Sequence, residues 1–392
     1  MRQDQPAGSA LFELGFRPFF LAGSLFAALA IPLWVAAWLG LIGDWQPTGG
    51  WLAWHMHEML FGFVAAIIAG FLLTAVQNWT GVPGLSGTPL VALAVIWLLA
   101  RMAWLAALPL WLVIPLDMLF LPAVTLALAR SIWIAKQKRN YPIVLVLTLL
   151  AVCNLISLLG LASADLTLQR QANLGALWLI AALIGIIGGR VIPFFTQRGL
   201  SLAQPAPVLP WLDYLLLAGS ILVALLMVSG IALRPSLLVG LLFALLGAGH
   251  LVRLLLWHHP RIWTVPLLWS LHLSYAWLVV ALYAMALWHA GWLVSFSQAV
   301  HLLAIGTISG MILAMIARVS LGHTGRPLAP VRAMSLAFVL LNLAVPVRVW
   351  IAPTWPQWGF WLAALCLACA FGLFVWYYAV ILYRPRPDGM PG

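Results

Sequence analysis

Residues 54–76 read W-H-M-H-E-M-L-F-G-F-V-A-A-I-I-A-G-F-L-L-T-A-V. Two histidines and a glutamate open a run that carries no further charge. Ionisable groups at bilayer depth cost several kcal/mol and are functional candidates by default. At about 100° per residue, His55 and His57 lie about 200° apart around a helix. They face different neighbours and cannot both bind one metal from a straight helix. Glu58, three residues after His55, falls on that histidine's face. Imidazoles on opposite faces suit a helix that serves two centres at one depth. The plainer alternative is an interfacial helix start whose histidines and glutamate are simply wet.

The composition around this stretch decides the class. The chain has 392 residues, 65% hydrophobic and only 7% charged, against about 25% charged in soluble domains. It is all-α and polytopic. Spans of about 20 apolar residues fall near 18–40, 53–76, 89–108, 111–133, 142–162, 173–194, 210–232, 236–257, 265–288, 296–318, 333–351 and 358–383. Proline and glycine punctuate the joins. No long polar linker divides them, so they form one bundle, residues 1–392, with 189–209 as the longest basic loop between the two halves. Cys153, Cys366 and Cys369 lie in apolar segments and read as small packing residues. Ala370 follows the C-x-x-C spacing where covalent haem attachment needs His. The N-terminus shows no cleavable-signal pattern, so the first helix is retained.

The net charge of +11 could suggest nucleic acid. The positions of the basic residues exclude that reading. With an even number of spans, both termini share one side. That side carries fifteen of the nineteen Lys and Arg, from Arg2 and Arg17 to Arg384 and Arg386. Arg170, Arg234 and Arg348 fall on the other, and Arg101 lies within a span. The bias places both termini in the cytoplasm.

Depth, at about 1.5 Å per residue, sorts the ionisable groups into two tiers. The outer tier is His55, His57, Glu58, His289 and His301. The inner tier is His250, His272 and His323, with Arg190 and Arg318 capping the sixth and tenth spans at that level. His258 and His259 sit in a solvated loop. Imidazole ligates iron, copper and zinc, and bundles hold metals with histidines from facing helices. His57 and His301 stand at matched depth on spans of the same direction and are the leading ligand pair. For each histidine alone, a hydrogen bond to a neighbouring helix is the simpler account. Met56, Met59, Met311 and Met315 could offer thioether to copper but read as filler. His57, Gly62 and Thr80-Gly81 are echoed by His301, Gly306 and Thr324-Gly325. Arg101 and Asp117 lie eight residues either side of Pro109. An antiparallel hairpin brings them to equal depth, as a buried structural ion pair. Gly306 and Gly310, and Gly185, Gly188 and Gly189, leave room either for close helix packing or for a flat macrocycle.

Several motifs together resemble the NnrS family of bacterial inner-membrane proteins: L-G-F-R-P-F-F at 14–20, W-H-M-H-E-M-L-F-G-F at 54–63, G-F-L-L-T-A-V-Q-N-W-T-G at 70–81, G-G-R-V-I-P-F-F-T at 188–196, P-L-L-W-S-L-H at 266–272, H-L-L-A-I-G at 301–306 and R-V-S-L-G-H-T-G-R at 318–326. The resemblance implies a twelve-helix protein holding haem and copper, associated with the nitric oxide response and denitrification. It carries His55, His57, His272, His301, His323 and Glu58 over as site residues, without assigning iron or copper. On that reading His57 and His301 form the axial pair of a haem. Arg190 and Arg318 join the cofactor-binding candidates, and His250 the metal candidates. The copper set comes from His55, His272 and His323, although His55 and His272 differ in depth. Glu58 would accept a proton or orient a ligating imidazole. Nitric oxide would be the small-molecule partner and lipid the surroundings, with no nucleic acid and no electron donor identified. Two other readings stand beside it, a proton-coupled transporter and an assembly partner of a respiratory complex.

Overall fold

The structure is a computed structural model and describes residues 10–292 and 295–390. Arg2, one of the basic residues used for orientation, lies outside the described residues. Twelve helices are long and apolar enough to cross a membrane, and no strand occurs among the described residues. They are α1 (Phe16–Trp38), α2 (Gly50–Thr80), α3 (Thr88–Leu105), α4 (Leu110–Ile134), α5 (Lys138–Ala162), α6 (Leu166–Leu200), α7 (Pro210–Val228), α8 (Leu237–Trp257), α9 (Pro266–His289), α10 (Phe296–His323), α11 (Arg332–Ile351) and α12 (Pro356–Tyr383). Each expected span has its helix. With no water at bilayer depth, helices satisfy every backbone group within the segment.

α2, α6 and α10 outrun the spans expected for them by the most residues. The apolar windows of α2, α6 and α10 are 78%, 72% and 83% buried, and no other helix exceeds 61%. α6 starts seven residues early because the Asp165 carboxylate accepts from the Thr167 and Leu168 amides at 3.0 and 2.9 Å, an N-cap. It then runs through Pro193 to Leu200. Arg190 and Arg318 therefore lie inside α6 and α10 rather than capping them. α2 ends where Gly81 takes a left-handed φ of 70°, and Gly325 does the same, at 67°, just beyond α10.

Three helices also change pitch. α2 is α-helical to His57, π-helical over Glu58–Val64, and α-helical again from Ala65. α10 is α-helical to His301, π-helical over Leu302–Ser309, and α-helical from Gly310. α11 ends in a π-helical stretch, Val347–Ile351. Such wide turns are rare and concentrate at functional sites. The sparse sequence echo between α2 and α10 is thus an echo of anatomy. In both, the wide turn begins directly after the histidine.

The chain forms two compact units. The first comprises 1–173, 316–328 and 371–392, and the second 174–315 and 329–370. In the first, α1 packs on α2 through small residues. A Cβ on Gly70 would stand 2.9 Å from that of Phe19. Close backbone approach of this kind drives helix association in lipid, where apolar burial does not. Arg17 is fully buried and donates to the carbonyls of Leu382 and Arg384 at 2.7 and 2.9 Å. A cation at a helix C-terminus satisfies its orphan carbonyls and its dipole. In the second unit, Gly306 seats Trp277 and Gly310 seats Ser274, which sets the register of α9 against α10.

Candidate functional site

The most concentrated polar site in the first unit lies where α2 changes pitch. Glu58 keeps the α-helical bond of its N–H to the Trp54 carbonyl, so the wide turn lies beyond it. Its carboxylate turns to the neighbouring His57, with Nδ1 3.1 Å from Oε1. Arg101 on α3 donates Nη1 to the same Glu58 oxygen at 2.6 Å, and Nη2 to Asp117 on α4. Trp104, one turn past Arg101, donates its indole N–H to Asp117 at 3.0 Å and stacks on the His57 ring at 4.3 Å. Asn154 on α5 donates to Asp117 at 2.9 Å and presents its carbonyl oxygen to His57 Nε2 at 2.9 Å. None of these side chains is more than 5% exposed.

Gly62 makes the cluster possible. A Cβ there would stand 2.7 Å from Arg101 Nη1 and 3.0 Å from Glu58 Oε2. Its carbonyl accepts from the Trp97 indole at 2.9 Å.

The hydrogen-bond pattern settles what each group offers. The Asn154 amide group donates to Asp117, so its oxygen faces His57 and can only accept. The Glu58 carboxylate accepts on the other side. Both His57 nitrogens therefore face acceptors, and neither presents a lone pair. The cluster balances two carboxylates with a guanidinium and a doubly donating imidazole. Buried charge persists only when paired and hydrogen-bonded in this way.

Whether a metal fits follows directly. His57, Glu58 and Asp117 offer ligand atoms within 4.8 Å of one another, the one such group of three among the described residues. The place of a cation between the two carboxylates is nonetheless filled by Arg101. A metal ion would have to displace a guanidinium bonded to both, and His57 has no nitrogen turned to receive it. As a ligand to iron or copper, His57 does not fit this arrangement.

His301, in the second unit, is set up differently. Its Nδ1 lies 2.7 Å from the Ser297 carbonyl, so this nitrogen donates. Its Nε2 lies 3.2 Å from Arg348 Nη2, and a guanidinium has no acceptor, so Nε2 carries the lone pair. Carbonyl-oriented imidazole with a lone pair on the far nitrogen is the usual form of a metal-ligating histidine. Arg348 sits in the π-helical end of α11 and covers the Phe360 ring at 4.9 Å. His301 fits a metal or haem iron.

The remaining candidates are dispersed. His55 stacks on Trp34 near the far end of α1, with ring centroids 4.5 Å apart, while His323 stands beside Phe16 at its start, 5.6 Å away. The two contact residues are separated by about 27 Å of helix rise, so His55 and His323 cannot share one copper. In the second unit, the α9–α10 register places His301 opposite residues 282–283, about 15 Å along α9 from His272. His272 lies against the Leu268 and Trp257 carbonyls at 3.0 and 3.4 Å. His250 Nδ1 is 2.7 Å from the Tyr275 hydroxyl. Nearby Arg253 donates to the Gly185 carbonyl at 3.0 Å, pairs with Asp213 at 3.3 Å and covers Trp257 at 4.7 Å. These side chains occupy the glycine face of α6. A Cβ on Gly185 would stand 3.4 Å from His250, and one on Gly188 would stand 3.2 Å from Tyr275. The glycine stripes thus seat protein side chains.

Asn154, Trp104 and Arg348 escaped the sequence reading as site residues. An asparagine inside an apolar span was a usable signal. Nothing in the sequence marks Trp104 among 23 tryptophans.

The sequence pattern of the family described as NnrS protein matches residues 10–386. No curated protein matches the chain.

Proposed function

The chain belongs to the NnrS family, membrane proteins of the nitric oxide response, and on that footing we propose that it binds haem and copper in the bacterial inner membrane and relieves nitrosative stress. One observation supports this reading above the rest. His301 presents Nε2 as a lone-pair donor, directly before the π-helical turn of a largely buried helix. A bound haem iron would supply the site at which nitric oxide is captured, and copper a second redox centre. The chain's own residues do the positioning. The Ser297 carbonyl holds the Nδ1 proton and fixes the tautomer, so His301 would hold the metal through Nε2. Arg348 would stand as a cation beside that site, which favours an anion there.

Haem and metal analysis of purified protein tests the proposal. Wild type expressed with haem supply carries a Soret band, and His301→Ala loses it. A wild type without haem, or His301→Ala with its full haem content, overturns the assignment. The cytoplasmic placement of both termini belongs to the same proposal and rests on the Lys and Arg bias.

A second reading has one specific observation in its favour. A buried, charge-balanced cluster of Glu58, His57, Arg101 and Asp117 is also what a proton-coupled transporter would carry. Proton uptake by sealed proteoliposomes, abolished in Asp117→Asn, would establish it.

A further inference from the structure

The polar residues of the first unit do not end at Asn154. One turn along α5, the Ser157 hydroxyl donates to the Asn173 carbonyl oxygen on α6 at 3.0 Å. One turn back along α6 from Asn173 is Gln169. Positions three or four apart on a helix share a face, so Asn154 and Ser157 form one row and Asn173 and Gln169 another. Exposures are 1% and 0% for the first row, 3% and 0% for the second.

These side chains are not satisfied by protein. Both amide atoms of Gln169, and the Asn173 amide nitrogen, are buried without a hydrogen-bond partner. Three orphaned polar atoms within one helical turn are costly when dry. They are also the two to four partners that a buried water needs. Gln169 is in the first turn of α6, its backbone N–H donating to the Asp165 carbonyl at 3.1 Å. Asp165 and the turn at 163–165 are exposed. The other end of the row is Asn154, in contact with His57 and Asp117. From Asn154 to the turn is about 14 Å of helix rise.

We propose that Gln169, Asn173, Ser157 and Asn154 line a water-filled route by which the His57–Glu58–Arg101–Asp117 cluster exchanges protons with the aqueous phase at the α5–α6 turn. Gln169 and Asn173 hold the water, the Ser157 hydroxyl passes a proton while accepting another, and Asn154 orients His57. Only O–H and N–H bonds are made and broken, and each proton that enters is matched by one that leaves. The route does not depend on any bound cofactor.

Cysteine accessibility tests this in membrane vesicles. The background carries Cys153→Ala, Cys366→Ala and Cys369→Ala in the full chain. Silver ion is small enough for a single-file water route and reacts with thiols only where water reaches them. Its reaction is read as protection from maleimide after denaturation. Ser157→Cys is expected to react at least tenfold faster than Leu158→Cys, a fully buried neighbour on the apolar face. Adding Gln169→Leu brings the rate at position 157 down to that of position 158. Equal rates at 157 and 158 overturn the proposal, as does a fast rate that survives Gln169→Leu in protein running as a single species on gel filtration. If Gln169→Leu does not fold, Asn173→Leu replaces it, and the comparison of 157 with 158 stands on its own.

Discussion

Removing Arg101 leaves two buried carboxylates facing one basic group. Arg101→Gln strands both Glu58 and Asp117, each within hydrogen-bond reach of the guanidinium. Breaking a buried pair on one side costs about 3–5 kcal/mol. At about 1.4 kcal/mol per tenfold, that is two to more than three orders of magnitude in the folding equilibrium. The structure then makes a stronger demand. Arg101→Gln with Asp117→Asn leaves Glu58 opposite His57 and restores the balance. Arg101→Gln with Glu58→Gln leaves Asp117 opposite His57 and restores it equally. Each double variant should recover about 1–3 kcal/mol relative to Arg101→Gln alone, the usual coupling within a network. Unfolding by dodecyl sulfate in mixed micelles, followed by tryptophan fluorescence, measures this. If the two doubles merely add the costs of their singles, the charge-balance account is wrong. If only the Asp117 double recovers, Glu58 is not a partner of Arg101, and a simple two-residue ion pair suffices.

Gly62→Ala should cost about 1–3 kcal/mol by overpacking, because its methyl would stand 2.7 Å from Arg101 Nη1; the same unfolding assay reads it. Gly306→Leu should disturb α10 against Trp277, with a lower yield of monodisperse protein on gel filtration, and an unchanged yield would contradict the packing described. Outside the membrane, the hydrogen bond from Arg386 holds the Asp388 carboxyl low, at about 2. A depressed acid contributes above its ordinary range and loses that contribution as pH falls through the lowered value. The tail contact should therefore persist at pH 4, and an Asp388 carboxyl resonance titrating in the ordinary aspartate range in labelled protein would refute it. A C-terminal fluorescent protein fusion should glow and a C-terminal alkaline phosphatase fusion should stay inactive, since both report a cytoplasmic terminus; the opposite pattern would reverse the orientation.

Much of the architecture was legible from hydropathy. Length sufficed for the number of spans because the bilayer imposes one dimension on every crossing. Helix ends were less legible. Pro193 sits inside α6, and α2, α6 and α10 run on past the apolar spans expected for them. The site was half legible. An arginine and an aspartate at equal depth either side of a turn announce each other, and they do pair. Glu58 joins them through Arg101, which bonds both carboxylates, and no local pattern revealed that. His55, His272 and His323 looked alike as histidines in apolar helices, yet they take up separate places.

By itself the sequence determined an all-helical, multi-pass chain of the NnrS family, with its charge bias and its rare intramembrane ionisable groups. These follow from composition and spacing, which each segment carries alone. Tertiary structure decided which of those groups meet, which nitrogen of each imidazole is spoken for, and that Arg101 holds the place of a metal between Glu58 and Asp117. Partnership between helices depends on rotation about their axes and on register to within an ångström or two, and a single helix encodes neither.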